Sequence, residues 1–185
     1  MNKEQLKWNK RYSNHQYPTQ ASELVKNNYH LASRGKALDI AAGMGRNSLF
    51  LSSKGFRVDA VDISSVAMEK LKLKDIRINA TCCDLDFYTP VVESYNLIIN
   101  FHFLNRRLLP LIQEALKPGG ILIFQTFLES DDPSISQPSN KSFILRKNEL
   151  RVAFASMEQL YYQESVKSWF AGKYRFVASM VARKP

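Results

Sequence analysis

The stretch Ala37-Leu38-Asp39-Ile40-Ala41-Ala42-Gly43-Met44-Gly45-Arg46-Asn47 constrains this chain more than any other. It reads as an apolar strand carrying one acid, then a glycine turn, then a helix start. Glycine tolerates positive φ and admits a ligand close to the backbone. At the carboxyl end of a first central strand, that describes a nucleotide-type cofactor site. Asp62 follows 19 residues after Gly43, at the end of the next apolar run. A carboxylate there can accept hydrogen bonds from both hydroxyls of a ribose. Either feature alone fits a plain turn or a helix-capping acid, but their order and spacing together favour a cofactor site.

Around this motif, strands and helices alternate, the mark of a parallel sheet with crossover helices. Strands are predicted over 36–42, 56–61, 76–82, 95–101 and 121–127. The spacing predicts a helix over 46–54, with Leu49, Phe50 and Leu51 available for burial and Gly55 ending it. Ser64 caps the next helix, which offers Val66, Ala67, Met68 and Leu71 to the core. A helix over 106–116 is stopped by Lys117-Pro118-Gly119-Gly120. Residues 129–141, rich in Ser, Asp and Pro, read as a loop, and 148–154 as a short helix. Late strands near 158–164 and 174–183 lie too close for a packed crossover helix, so an antiparallel hairpin is expected. Residues 1–33 form an N-terminal helical extension, with helices near 4–12 and from about Ala21, and 34–185 form the core. One domain is what 185 residues would build.

Composition excludes several classes. The start of the chain carries positive charge without an apolar segment behind it, and the longest apolar runs are too short to span a bilayer. Cys82 and Cys83 are the two cysteines, and adjacent cysteines bridge each other only under strain. No C-x-x-C pair offers a metal or redox site. A cytoplasmic, reducing location follows as the expectation. The formal net charge of +9 is spread along the chain rather than gathered in a tract. It suits an anionic small molecule, a nucleic acid or merely a solvated surface.

The charges around the turn discriminate between cofactors. A dinucleotide site calls for a third glycine, where this chain has Ser48. Asp39, four residues before Gly43, would repel a pyrophosphate. It suits a cofactor with an ammonium group and a sulfonium, and S-adenosylmethionine has both.

On these residues the chain resembles class I S-adenosylmethionine-dependent methyltransferases, and more narrowly the tellurite-resistance-type group. The similarity runs from Trp8 to the C-terminus. It is carried by Gly43-Met44-Gly45-Arg46-Asn47-Ser48, the segment 58–71 with Asp62, and Leu116-Lys117-Pro118-Gly119-Gly120. Phe143-Ile144-Leu145-Arg146 and Val181-Ala182-Arg183-Lys184-Pro185 add to it. The resemblance implies a Rossmann-like three-layer α/β sandwich on a seven-stranded, mostly parallel sheet with the last strand antiparallel. It also implies a site in which Asp39, Ala41, Gly43, Gly45 and Arg46 surround the methionine moiety. Asp62 would hold the ribose and Ile63 an adenine face. Asp84 and Leu85 would lie at the adenine amino group, and Asn100 and His102 toward the methyl. Two positions depart from the pattern: Ala41 stands where the first glycine is usual, and Gln125 where an acid is expected.

The remaining candidates have plain alternatives. His102, between Phe101 and Phe103, can act as a base that titrates near neutral pH, can orient an acceptor, or can simply pack. Arg46, Arg106, Arg107 and Arg146 are candidates for attracting an anionic acceptor, or are ordinary surface residues. Trp8 and Tyr12 share a helical face that either anchors the extension or covers the cofactor as a lid. A nucleophilic role for Cys82 or Cys83 is disfavoured by their place on the third strand. The expected function is methyl transfer to a small acceptor, a metalloid oxyanion or thiol-like compound. The alternatives are an RNA or protein methyltransferase using the basic surface, and a non-catalytic S-adenosylmethionine-binding protein. Against nucleic acid, Asn100-Phe101-His102-Phe103 lacks the Asn-Pro-Pro-aromatic clamp used on exocyclic amines of bases.

Overall fold

A computed structural model describes residues 3–14, 17–168 and 172–185. Seven strands form one sheet: β1 (Lys36–Ile40), β2 (Arg57–Asp62), β3 (Ile78–Cys82), β4 (Tyr95–Phe101), β5 (Leu116–Phe127), β6 (Glu158–Ser168) and β7 (Tyr174–Arg183). Their order is β3-β2-β1-β4-β5-β7-β6. Neighbours from β3 to β5 are parallel, while β7 runs antiparallel to both β5 and β6. The expected mostly parallel sheet with an antiparallel final strand is therefore present.

Helices cover both faces. Leu38, Ile40, Ile98, Leu122 and Phe124 pack on one face with α5 (Leu108–Ala115) and α6 (Glu149–Ala153). Ala37, Val58, Ala60, Leu97 and Ile99 pack on the other with α2 (Glu23–Asn28), α3 (Arg46–Ser53) and α4 (Ser65–Lys72). Side chains alternate along a strand, so Asp39 shares the face of Ala37 and points at α3. The helix α1 (Lys3–Asn14) lies against α4.

Some element boundaries differ from expectation for physical reasons. The third strand starts at Ile78, because Ile76 is 99% exposed and Asp75 turns the chain by accepting from the Arg77 N–H and guanidinium. The Lys117–Gly120 stretch is not a bare stop. It continues β5 back to Leu116, with a register irregularity against Tyr95 and Leu97 that the positive φ of Gly119 (73°) accommodates. The 129–141 segment is laced to the sheet by the Ser136 N–H donating to the Tyr174 carbonyl and by buried Ile135. In α3, Leu51 is fully buried, but Leu49 and Phe50 are only half-buried. The inward face is largely polar: Asn47, Ser48 and Ser52.

Candidate cofactor site

Ala41, Gly43 and Gly45 all have positive φ, at 55°, 55° and 75°. The chain leaves β1, crosses the sheet edge in this left-handed bend and enters α3 with Gly45 as its N-cap. Gly45 is required on two counts. Its φ favours glycine, and an added Cβ would meet the Leu71 side chain at 2.4 Å. Ala41 adopts the same left-handed backbone despite its methyl group, at the position where the motif usually has glycine.

Two carboxyl groups flank the bend. Asp62 closes β2, and its two oxygens accept from the Gly43 and Ser64 N–H groups, each at 2.8 Å. It therefore clamps the glycine bend to the start of α4. Asp39 is 2% exposed and accepts from the Ser48 hydroxyl at 2.6 Å. Burial pushes the Asp39 carboxyl up to about 7, against the pull of Ser48 and Arg46. Burial also raises Asp62, opposed by its backbone N–H donors. Arg46 extends from the first turn of α3 and donates to the Gln20 carbonyl at 3.1 Å.

The helix α1 covers this bend. The Asn9 side-chain oxygen accepts from the Ser64 hydroxyl at 2.7 Å, and its side-chain amide donates to the Ser65 hydroxyl at 3.1 Å. Ser64 simultaneously caps α4 by accepting from the Ala67 N–H, as its sequence position predicts. Gln5 donates to the Cys82 thiol at 3.3 Å. Trp8 stacks on Tyr12, which in turn packs on Tyr17. Burial, together with the nearby Asp62, drives the Tyr12 phenol well above its ordinary value.

The acceptor-side groups stand at the ends of β4 and β5. His102 has positive φ (57°), and its backbone N–H donates to the Gln125 carbonyl at 2.8 Å. Its ring stacks on Phe127 at 5.5 Å. Burial, with the charges of Arg46 and Arg175 behind it, lowers its pKa to about 3. The titration near neutrality that the sequence suggests for His102 is thereby removed, and the imidazole is neutral at pH 7. Asn100 is buried, its amide donating to the Phe103 carbonyl at 2.7 Å. Gln125 donates to the Ser179 hydroxyl at 2.8 Å.

The fold thus gathers Asp39, Ala41, Gly43, Gly45, Arg46 and Asp62 in one cluster. Ile63 follows directly on Asp62. Asp84, half-buried, follows β3 and accepts from the Asp86 N–H, while Leu85 is packed in the core. Of the arginines weighed for an anion, Arg106 is committed to Glu149 and to the Ser142 and Ile144 carbonyls. Arg107 donates to the Leu85 and Tyr88 carbonyls. Arg46 stands near His102, and so does Arg175, which sequence reasoning missed. Its guanidinium lies over the Phe127 ring at 5.2 Å. The signal was available in the expected hairpin, since an antiparallel β7 begins at the edge where the parallel strands end. Cys82 is exposed, and Cys83 is half-buried with its thiol pushed up to about 11.

This donor set fits an adenosyl sulfonium. A carboxylate offers about four lone-pair positions, so Asp62 keeps acceptor capacity for hydroxyl donors beside its two backbone bonds. A buried acid such as Asp39 is stabilised as its anion by a cationic partner.

Residues 3–173 match the family model described as tellurite resistance protein TehB. The chain is 32% identical over 142 residues to a probable S-adenosyl-L-methionine-dependent methyltransferase TehB of Haemophilus influenzae strain 10810. That match covers 71% of this chain and 49% of the relative. It is 30% identical over 168 residues to Hemagglutinin 1 of Eikenella corrodens, covering 81% and 55%. The chain spans about half the length of the curated relatives it matches. The crystal structure of TehB from Haemophilus influenzae superposes with a TM-score of 0.74 at 24% identity, over 98% of this chain and 67% of that one. A methyltransferase structure from Methanosarcina mazei does so with a TM-score of 0.70 at 17% identity, over 89% and 98%. These superpositions concern the fold.

Proposed function

The chain belongs to the TehB tellurite-resistance protein family, and from that premise we propose that it binds S-adenosylmethionine at the glycine bend and transfers its methyl group to a small-molecule acceptor. The observation that carries this reading is the Asp62 carboxylate bonded at 2.8 Å to the Gly43 N–H, with Asp39 buried one strand away. When bound, S-adenosylmethionine supplies an electrophilic methyl on a sulfonium. The chain's part is to hold, align and exclude water.

In this reading, Asp39 attracts the ammonium group, Asp62 accepts from the ribose hydroxyls, and Gly43, covered by Tyr12, holds the Asp62 carboxylate through its N–H. Ile63, Asp84 and Leu85 line the adenine end, while Arg46, Ala41 and Gly45 bound the methionine end. The helix α1 shields the bend through Tyr12. His102, neutral at pH 7, orients the acceptor with a ring nitrogen, and Asn100 braces its loop through the Phe103 carbonyl. The acceptor is a small molecule, a metalloid oxyanion or a thiol-like compound. A cytoplasmic location belongs to the same reading and is supported by the two free cysteines.

Titration calorimetry with S-adenosylmethionine and S-adenosylhomocysteine tests cofactor binding, and absence of heat with both overturns it. Labelled methyl donor offered in parallel to a small-molecule extract and to RNA tests the acceptor class. Label confined to the RNA fraction would replace the small-molecule reading with the nucleic-acid one.

A further inference from the structure

Leu73 and Ile76 are 89% and 99% exposed, and both stand in the turn that joins α4 to β3. A single exposed aliphatic side chain is ordinary on a protein surface. This pair is held outward by a braced turn. The Lys74 N–H donates to the Leu71 carbonyl at 3.0 Å, and the Ile78 N–H to the Asp75 carbonyl at 3.1 Å. The Asp75 carboxylate accepts from the Ser52 hydroxyl at 2.6 Å, from the Arg77 N–H at 2.9 Å and from the Arg77 guanidinium at 3.0 Å. Leu71 and Ile78 are buried on either side, so the turn is anchored in the core at both ends. Cations surround the apolar tip. Lys72, Lys74 and Arg77 are exposed in the same segment, and Arg57 and Lys36 line one hollow with Ile76 and Arg77. The acids of the turn and the hollow are spent within the chain, Asp75 on Arg77 at 3.0 Å and Asp59 on Lys36 at 2.7 Å. Glu69, one turn back in α4, leaves the balance positive, and Lys72, Lys74 and Arg57 have no ion-pair partner among the described residues.

We propose that this turn docks the protein on an anionic lipid surface, with Leu73 and Ile76 entering the headgroup region and the surrounding cations meeting the headgroup charges. The contact is peripheral, since no helix among the described residues is long and apolar enough to cross a membrane. Apolar burial and attraction to anionic lipid act together in such contacts, each too weak to hold alone. A Lys or Arg near an anionic surface strengthens binding about fivefold. An RNA would use the same cations, but single strands are gripped by aromatic platforms and gain little from two exposed aliphatic side chains. Placement on the fold fits as well. The turn lies at the amino edge of the sheet, where β1, β2 and β3 begin, while the glycine bend lies at the carboxyl edge. A bilayer touching the turn therefore leaves the bend facing the aqueous phase. The inference stands independently of the methyltransferase reading.

The test is co-sedimentation of the whole protein with vesicles of equal parts phosphatidylserine and phosphatidylcholine, beside vesicles of phosphatidylcholine alone. The anionic vesicles should retain the protein at least tenfold better. Raising salt to about 1 M, where the screening length falls to about 3 Å, should release most of it. The double variant Leu73→Ser/Ile76→Ser should partition at least tenfold less, and so should Lys72→Glu/Lys74→Glu, with thermal unfolding unchanged in both. A gain-of-signal variant keeps the test open if either double variant does not fold. Ile76→Trp should sediment at least as well as the unmodified protein, and brominated acyl chains should quench its added fluorescence. Equal retention on both kinds of vesicle, retention on neither, or an unquenched Ile76→Trp overturns the proposal. Retention that survives Leu73→Ser/Ile76→Ser in a folded protein also overturns it, leaving a general attraction to polyanions that an RNA would share.

Discussion

The hydroxyl of Tyr12 stands 2.7 Å from the place a side chain on Gly43 would occupy. The N-terminal helix therefore fills the space that glycine leaves open, and the bend and its cover are matched to one another. Gly43→Ala should fail twice. A non-glycine residue at φ 55° costs about 1–2 kcal/mol, and the new methyl displaces Tyr12. We expect lower unfolding stability and at least a tenfold loss of S-adenosylhomocysteine affinity by calorimetry. Adding Tyr12→Phe removes the clashing oxygen, so the double variant should lose less than the sum of the two single ones. Strict additivity would show that the two residues do not contact.

Ala41 offers the opposite experiment. It holds positive φ with a methyl group in place, so Ala41→Gly relieves strain of about 1–2 kcal/mol. Glycine's greater freedom in the unfolded chain takes back about 0.5–1 kcal/mol. A net gain of about 0.5–1 kcal/mol in urea denaturation is the expected result. A net loss would mean that the methyl makes packing contacts worth more than the strain.

Asp39 should trade stability against binding. Its folded pKa of about 7 lies above the ordinary 3.8, so the folded state holds the proton more tightly than the unfolded chain does. That contribution is fully present below about pH 4 and is lost as pH rises to 7. At 1.36 kcal/mol per tenfold, it amounts to at most about 4 kcal/mol. Asp39→Asn cannot ionise and keeps an acceptor for Ser48, so its stability at pH 8 should exceed that of the parent. Its cofactor affinity should fall, because the attraction for the ammonium group is gone. In the parent, S-adenosylhomocysteine affinity should weaken as pH falls below about 7, and in Asp39→Asn this slope should vanish. A parallel slope in both proteins would assign the titration to another group.

The difference between what was legible and what was not has a physical basis. The strand Tyr95–Phe101 matches expectation end to end, because a central parallel strand is apolar on both faces and has no competing pattern. The cofactor bend was readable because glycine and acid spacing report backbone geometry directly. At the start of β3, by contrast, hydrophobicity alone misled: Ile76 is apolar yet points into solvent, placed there by the Asp75–Arg77 turn. The polar inner face of α3 was hidden for the reverse reason. Ser48 and Ser52 are buried because each has one carboxylate to bond, Asp39 and Asp75, and those partners are distant in sequence. The placement of Arg175 against Phe127, and so near His102, depends on strand direction and register, so it was legible only through the expected hairpin and not from local pattern. The same holds for the depressed pKa of His102, which arises first from burial and then from the arginines at positions 46 and 175.

His102 yields a prediction about pH. With its pKa lowered to about 3, the imidazole stays neutral near pH 7. Methyl transfer should therefore show no limb between pH 6 and 7 that disappears in His102→Gln. That variant keeps a hydrogen-bonding side chain and should chiefly raise the acceptor KM if the ring orients the acceptor. Loss of a limb near pH 6.5 on substitution would show that His102 titrates as an ordinary base.

Arg106, one of the arginines weighed for an anionic acceptor, has a structural role. Its guanidinium donates to both Glu149 oxygens, at 2.6 and 2.9 Å, and to the Ser142 and Ile144 carbonyls at 2.9 and 3.0 Å. It thereby ties the turn before α5 to the segment leading into α6. All of its useful donor directions are spent on the chain itself, which leaves no fork for a ligand. Bidentate geometry strengthens the pair, while partial exposure screens it, so Arg106→Ala should cost about 1–2 kcal/mol in urea denaturation. Anion binding to the S-adenosylhomocysteine-loaded protein should be unchanged at a temperature where the variant remains folded. A tenfold loss of anion affinity in Arg106→Ala, with stability intact, would place the acceptor on the α5–α6 side of the sheet rather than beside His102.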